Sequence, residues 1–236
     1  MARIRAILFD KDGTLLDFNA TWLGFAREMA LAATGGDMGR ADRLLRDGGF
    51  DADEKRFRPN SVIAAGTNAQ VVSHFHPHVE GEPLRVLVEE TDRKTAGIAE
   101  RAVALPGALD AVRALHARGY AIGLATNDSA RGAETTLKLF GIASLFTATL
   151  GYDSVKHPKP APDALVEFAA RAGCRPDEVA MVGDNAHDLE MARAAGAGLS
   201  IGVLSGNGTA ESLAPLADVI LASVVELPAW LEAQAG

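Results

Sequence analysis

The stretch FDKDGTLLD, Phe9 to Asp17, decides the fold of this chain. It follows an apolar run, residues 6–8, and residues 4–9 have the length and composition of a short buried strand. Residues two apart in an extended segment point the same way, so Asp10 and Asp12 are expected to face one crevice and Lys11 the opposite side. Open α/β sheets bind ligands beyond the carboxyl ends of their strands, which is where this pair stands.

Two other interpretations of the same stretch rest on the residues alone. Aspartate is common in turns after strands, so an isolated D-x-D pair is also typical of a purely structural turn. A calcium loop needs glycine at its sixth position and glutamate at its twelfth, but counting from Asp10 these positions hold Leu15 and Thr21. The calcium loop is therefore excluded, and the choice between turn and site depends on the rest of the chain.

The composition limits the classes of function. The chain has 236 residues, 48% of them hydrophobic, which suits one large α/β domain or a core with a smaller insert. A net charge of -8 argues against nucleic acid or an anionic membrane surface as a partner. The single cysteine, Cys174, cannot form an intrachain disulfide, and no apolar run approaches the roughly 20 residues that span a bilayer. We expect a soluble cytoplasmic protein.

The order of apolar and polar residues divides the chain in two. Between residues 18 and 104 apolar side chains recur at helical spacing, and nothing there resembles a buried parallel strand. After residue 105 strands and helices alternate, which implies a parallel sheet covered on both faces. We therefore predict an α/β fold, with a doubly wound Rossmann-like core formed by residues 1–17 and 105–236. An all-helical cap domain is inserted at 18–104.

Three further motifs place polar side chains at predicted strand ends. Thr126 falls at the end of the second core strand and Asn127 begins the segment that opens a helix. A hydroxyl and free N–H groups there can bind phosphate or simply cap the helix. Lys159 stands between prolines before another helix, either as a fixed positive charge or as a solvated loop residue. Asp184 and Asp188 share one helical face, which suits a hard cation or a plain N-cap. Because parallel strands end at one edge of a sheet, we expect one common site.

In this order the motifs resemble the haloacid dehalogenase-like hydrolase superfamily, and within it the phosphoglycolate phosphatase-like members. The resemblance covers the whole predicted core, and the insert stands where that group carries a small helical cap. It implies hydrolysis of a phosphate monoester through an aspartyl-phosphate, with Asp10 as the nucleophile and Asp12 as the general acid and base. It also implies Mg²⁺ held by the Asp10 carboxylate, the Asp12 main-chain carbonyl and Asp184. Asp188 would be a direct or water-bridged ligand, or would orient the site.

The same resemblance implies roles for the phosphate-binding residues and for the cap. Thr126, the Asn127 backbone and Lys159 would hold the phosphoryl oxygens, with Lys156 left as a loop charge. The cap would close as a lid and set the choice of substrate. Its candidate contacts are Asn19, Trp22, Arg58, Asn60 and Ser61. His74, His76 and His78 alternate along the chain, but Pro77 and the helical surroundings argue against a metal site there.

The resemblance predicts a small phosphorylated metabolite as the partner, with phosphoglycolate first and sugar phosphates next. A haloacid dehalogenase lacks the second aspartate and a phosphonatase has a small residue in its place, so Asp12 disfavours both. Two alternatives stay open: a β-phosphoglucomutase-like phosphotransferase, which keeps both aspartates and a helical cap, and a non-catalytic phosphate-binding module. The sequence leaves the choice between monomer and homodimer open.

Overall fold

A computed structural model describes residues 3–235, without the side chains of Ala96, Ala99 and Ala235. The predicted core also included residues 1, 2 and 236, which lie outside the described residues. In chain order, the strands are β1 Ala6–Phe9, β2 Phe50–Asp51, β3 Arg56–Phe57, β4 Ala121–Ala125, β5 Phe146–Leu150, β6 Val179–Gly183, β7 Leu199–Val203 and β8 Val219–Leu221. The helices are α1 Phe18–Ala33, α2 Met38–Asp47, α3 Val62–Ala65, α4 Asn68–Phe75, α5 Gly81–Ile98, α6 Ala108–Ala117, α7 Ala130–Leu139, α8 Asp163–Arg171, α9 Ala186–Ala195, α10 Ala210–Leu213 and α11 Leu227–Ala235.

Six strands form one parallel sheet in the order β5-β4-β1-β6-β7-β8. Strand β1 lies in the middle, and its last residue, Phe9, pairs with Leu124 of β4 and Val182 of β6. All four residues of β1 are fully buried, as expected for a strand covered on both faces. The predicted doubly wound α/β core is therefore confirmed.

Alternate residues of each strand enter two different apolar clusters. Ile7 and Phe9 pack with residues of α6, α7 and α11 on one face of the sheet, whereas Ala6 and Leu8 pack with residues of α8 and α9 on the other. This two-fold alternation is what places the helices in layers on both sides of the sheet. It leaves the carboxyl ends of the strands as an open edge between the layers.

The inserted segment has an apolar cluster of its own, formed by residues of α1 to α4 and of β2 and β3. Phe18 of α1 meets Phe57 edge to face at a centroid distance of 5.7 Å, and Phe50 lies 5.4 Å from Phe57. Phe50 and Phe57 belong to β2 and β3, which pair antiparallel over two residues each. The insert is thus helical apart from this short ladder, which the prediction of an all-helical cap did not include.

The chain enters and leaves the insert through adjacent segments. Leu16 and Ala104 form an antiparallel bridge, and the Asp17 N–H donates to the Val103 carbonyl at 2.8 Å. The Asp17 carboxylate also caps α1 by accepting from the Ala20 N–H at 2.9 Å. In the described part of the chain, no helix has the length and apolar character needed to cross a membrane.

Candidate active site

The three central strands are each followed by a polar residue at the same edge of the sheet. Asp10 follows β1, Thr126 follows β4 and Asp184 follows β6, and these strands are neighbours in the sheet. Asp10 and Thr126 line a cleft between the sheet edge and the inserted helices, and Asp12 lines the same cleft. The parallel topology therefore brings together side chains that are far apart in the sequence.

Lys159 lies buried at the centre of this edge. Its ammonium donates to Asp10 Oδ1 at 2.5 Å, to Asp188 Oδ1 at 2.7 Å and to the Ala125 carbonyl at 3.0 Å. Burial opposes its charge, but the attraction of Asp10 and Asp188 outweighs burial and raises the pKa of the Lys159 ammonium. Lys156, the other lysine of this loop, is exposed to solvent.

Three carboxylates, those of Asp10, Asp184 and Asp188, surround a position suited to a cation. Their oxygens lie within 4.8 Å of one another, and all three side chains are buried. Burial raises the pKa of the Asp184 carboxyl well above its usual range, and the negative charges of Asp10 and Asp188 raise it further. We call these three residues the acidic trio.

The acidic trio fits a magnesium ion by its donor chemistry and by an unused ligand atom. Carboxylate oxygens are the ligands that hard divalent cations prefer. Asp184 Oδ2 accepts from the Asn207 N–H at 2.7 Å, but Asp184 Oδ1 is buried without a hydrogen-bond partner. A cation is the group that would satisfy this oxygen and offset the crowded negative charge. The metal-binding role implied for Asp12 rests on its main-chain carbonyl and stays a prediction.

Glycines allow the chain to pass close to the Asp184 carboxylate. Gly13 has a φ of +91°, and a Cβ built on it would overlap the Asp184 side chain. A Cβ on Gly206, in the loop after β7, would overlap the same carboxylate. A side chain at either position would therefore displace a member of the acidic trio.

Asp12 is held by two donors, one from the core and one from the cap. The Trp22 indole N–H of α1 donates to Asp12 Oδ1 at 2.7 Å, and the Lys11 ammonium lies 2.9 Å from Asp12 Oδ2. Burial raises the pKa of the Asp12 carboxyl; Lys11 lowers it, and the charges of Asp128 and Asp10 raise it again. The net rise favours the protonated form that a general acid requires.

The expectation for Lys11 was wrong. Its side chain does not point away from the two aspartates but lies buried between Asp12 and Asp128, 2.8 Å from Asp128 Oδ2. Burial opposes the charge of Lys11, yet these two carboxylates outweigh burial and raise the pKa of its ammonium. Strand β1 ends at Phe9, so the two-residue alternation of an extended strand no longer applies at Lys11.

Thr126 and Asn127 lie at the start of the segment that leads into α7. Thr126 Oγ1 accepts from the Asp128 N–H at 3.1 Å. The Asn127 side-chain amide donates to the Ala65 carbonyl in the cap at 2.8 Å and to the Lys159 carbonyl at 3.3 Å. The Asn127 side chain therefore joins cap and core, while the role implied for its backbone in phosphate binding stays a prediction.

The predicted cap contacts fall into two groups. Asn19 donates to Asn207 Oδ1 at 3.3 Å, and the Asn60 N–H donates to Asn185 Oδ1 at 3.1 Å, so both join the cap to the core. Ser61 and Asn60 line a groove beside the cleft. Arg58 is exposed, donates to the Arg46 carbonyl at 3.1 Å and lines neither the cleft nor the groove.

Three asparagines of the site were not predicted. Asn68 of α4 donates to Asp92 Oδ1 at 2.7 Å and lies 3.4 Å from Asp128 Oδ1. Asn185 caps α9 and contacts Asn60, and the Asn207 N–H binds Asp184. The sequence does contain a sign of the role of Asn207, because this residue lies between two glycines after a predicted strand. Asn68 sits in an ordinary capping pattern that gives no such signal.

His74 lies in the last turn of α4, and His76 and His78 follow it. His74 Nε2 lies 2.9 Å from the Leu44 carbonyl, and among the described residues His74, His76 and His78 form no cluster of ligand atoms. His187 lines the cleft beside the acidic trio. Burial, and after it the charge of Lys159, lowers the pKa of His187 to about 3, so its imidazole is neutral.

Residues 4–196 match the haloacid dehalogenase-like hydrolases, and the chain belongs to this family of hydrolases. It is similar to the phosphoglycolate phosphatase of Escherichia coli K12, with 32% identity over 231 residues, 95% of this chain and 91% of the relative. These findings and the site together make the chain a phosphatase resembling the phosphoglycolate phosphatases.

Solved structures of lower identity share the fold. A HAD phosphatase from Thermococcus onnurineus superposes with a TM-score of 0.70 at 20% identity, covering 97% of this chain and 98% of that one. CbbY from Rhodobacter sphaeroides, in complex with phosphate, superposes with a TM-score of 0.68 at 22% identity, covering 95% and 96%. At this identity the likeness shows the fold alone.

Proposed function

We propose that this phosphatase hydrolyses a small phosphate monoester in a Mg²⁺-dependent reaction through an aspartyl-phosphate. The observation that carries the proposal is the position of Asp10. Its carboxylate stands at the end of the central strand, within the acidic trio, with Oδ1 held by the Lys159 ammonium. The other carboxylate oxygen is left to attack phosphorus. The phosphoglycolate phosphatases among its relatives make phosphoglycolate the first monoester to test.

The two aspartates divide the chemistry. Asp10 attacks phosphorus, a bond forms between its oxygen and phosphorus, and the bond to the leaving alkoxide breaks. Asp12 gives its proton to that alkoxide. A water then attacks the aspartyl-phosphate and loses its proton to Asp12, which frees inorganic phosphate and restores both carboxyl groups. The raised pKa of Asp12 supports the first of its two tasks.

The acidic trio, with the Asp12 main-chain carbonyl that the resemblance implies, would hold the Mg²⁺. When bound, the ion offsets repulsion between these carboxylates and the incoming phosphate dianion. Thr126, the Asn127 backbone N–H and the Lys159 ammonium would hold the phosphoryl oxygens as charge redistributes. The cap closes over them and excludes water, supported by the hydrogen bonds from Trp22 and Asn60 across the cleft.

Replacement of the nucleophile tests the proposal. We expect Asp10→Asn to lower phosphate release by more than about 10⁴-fold, because an amide cannot form the covalent intermediate. Acid quenching with a radiolabelled substrate should trap phosphate on the wild type and none on the variant. Asp110→Asn, a change at an exposed carboxylate on α6, is the matched control and should leave turnover unchanged. Robust hydrolysis by Asp10→Asn would refute the assignment of the nucleophile.

The same assays address the metal and the rival activities. Removal of Mg²⁺ with a chelator should stop phosphate release, and readdition of Mg²⁺ should raise the melting temperature of the wild type. A β-phosphoglucomutase-like enzyme would need a bisphosphate activator and would yield an isomer in place of inorganic phosphate. A non-catalytic module would release no phosphate from any monoester.

A further inference from the structure

The cleft has two chemically different walls. The core wall carries the polar groups that the proposed reaction uses. The cap wall is mostly apolar, with Asn68 and Thr91 as its polar members. Its larger apolar side chains come from α1, α3 and α4: Phe18, Trp22, Phe25, Met29, Ile63 and Val71. Since the phosphoryl group lies against the core wall, the alcohol part of the substrate must lie against these six side chains, which we call the apolar cap wall.

Among the described residues, no lysine or arginine lines the cleft. Lys11 and Lys159 lie behind its surface, and each is already paired with two carboxylates. Arg56 of the cap donates to the Asn207 carbonyl at 2.8 Å. Arg58 is exposed, donates to the Arg46 carbonyl and does not line the cleft. A second negative group on a substrate would thus find no free cation beside the apolar cap wall.

The amide and indole donors of the cleft are also engaged. Asn68 donates to Asp92, and Asn127 donates to the Ala65 carbonyl. The Asn185 amide lies 3.4 Å from Asp184 Oδ2, and the Trp22 indole donates to Asp12. A carboxylate held there would lose its water without gaining these donors, which disfavours its binding.

We propose that the cleft takes a phosphate monoester whose alcohol part is uncharged and apolar, aromatic or aliphatic, and that it discriminates against phosphoglycolate. This inference rests on the proposed function, since it describes the leaving group of the same reaction. Burial of an aromatic or aliphatic group against the apolar cap wall removes apolar surface from water and so favours binding of such a substrate. The carboxylate of phosphoglycolate gains nothing comparable and adds to the charge of Asp10, Asp12 and Asp128.

The test compares benzyl phosphate, butyl phosphate and phosphoglycolate on the wild-type enzyme with Mg²⁺. We expect kcat/KM for benzyl phosphate to exceed that for phosphoglycolate by at least about tenfold, the discrimination that one or two apolar groups supply. Preference for phosphoglycolate would overturn the inference and leave the proposed function standing. Phosphate release from none of the three would contradict the proposed function instead.

Binding of non-hydrolysable isosteres keeps the inference testable without turnover. Calorimetry with Mg²⁺ present should show 2-phenylethylphosphonate binding at least about tenfold more tightly than 3-phosphonopropionate, the isostere of phosphoglycolate. Equal or reversed affinities would overturn the inference whether or not the enzyme turns over a monoester.

A charge placed in the apolar cap wall provides a second arm. Met29→Lys should shift the ratio of kcat/KM for phosphoglycolate over benzyl phosphate upward by about tenfold, because the new ammonium pairs with the carboxylate. Met38→Lys, on the exposed face of α2 with 74% of the residue accessible, is the matched control and should leave the ratio unchanged. An unchanged ratio in a folded Met29→Lys enzyme would count against the apolar cap wall as the determinant.

Discussion

At the scale of single residues, Lys11 shows how charge is balanced in the interior. Its side chain is 3% exposed, and its ammonium is shared by carboxylates of two segments, Asp12 beside it and Asp128 at the start of α7. The Lys11 ammonium also lies 5.1 Å from the centre of the Trp22 ring, which adds a cation–π contact from the cap. Without the Lys11 ammonium, the carboxylates of Asp12 and Asp128 would lose the positive charge that pairs with both of them.

Removal of the Lys11 charge should therefore cost stability. We expect Lys11→Met to lower the free energy of unfolding by about 3–5 kcal/mol, the cost of leaving buried carboxylates without their partner. Lys138→Met is the matched control, because Lys138 makes an exposed pair with Glu134 at 3.4 Å, and should cost less than about 0.5 kcal/mol. Urea unfolding of both variants measures the difference. Similar losses in the two would show that the buried pairs are not structurally important.

At the scale of elements, the strands of the core could be predicted from the sequence. Buried strands with polar residues directly after them form a pattern that periodicity and the geometry of parallel sheets can interpret. Short elements and turns show no such pattern in the sequence. The ladder of β2 and β3 has two residues on each side, too few for any period to show. Lys11 lies in a bend, where its direction depends on packing against α7 and α1.

Contacts between elements of cap and core were the least accessible to prediction. Asn19 and Asn207 are 188 residues apart, and Asn127 meets Ala65 across 62 residues. Neither pair has a local signature, because each residue also fits an ordinary cap or loop position in its own element. Such partners follow from how the cap docks on the core, which is set by the fold as a whole.

The docking of the cap on α9 can be tested at Asn60. The Asn60 N–H donates to Asn185 Oδ1 at 3.1 Å, and Asn60 Oδ1 accepts from the Ala186 N–H at 3.3 Å. Asn60→Gly keeps the positive φ of 56° and removes the second bond, so the closed state should be weakened about two- to tenfold. In a Trp230→Phe background, Trp22 is the remaining tryptophan, and its emission should shift toward that of a solvated indole.

A matched control separates docking from the backbone effect of glycine. Lys55 is exposed and has a φ of 53°, so its backbone is left-handed like that of Asn60. Lys55→Gly therefore removes the same backbone strain in the same domain. It should leave the emission of Trp22 unchanged. If the two variants behaved alike, the bonds of Asn60 would have no part in holding the cap closed.

At the scale of the whole molecule, cap and core have separate apolar interiors. The cap cluster is built from residues of α1 to α4 and the β2–β3 ladder, while the two core clusters lie on the faces of the parallel sheet. The hydrogen bonds of Asn60, Asn127 and Trp22 join the two. We therefore propose that residues 1–17 and 105–236 fold as one unit and residues 18–104 as another.

Deletion of the cap tests this division, and the structure shows where the two ends of the core can be connected. Because the Asp17 N–H donates to the Val103 carbonyl at 2.8 Å, an Asn-Gly turn can replace residues 18–102 and close a hairpin between these two positions. We expect the shortened chain to unfold cooperatively in calorimetry and to keep its stabilisation by Mg²⁺, since the acidic trio lies wholly in the core. Its kcat/KM should fall, and its ratio between benzyl phosphate and phosphoglycolate should approach one, because the apolar cap wall is gone. A shortened chain that binds a hydrophobic dye and melts without a cooperative transition would show instead that the core depends on the cap for its packing.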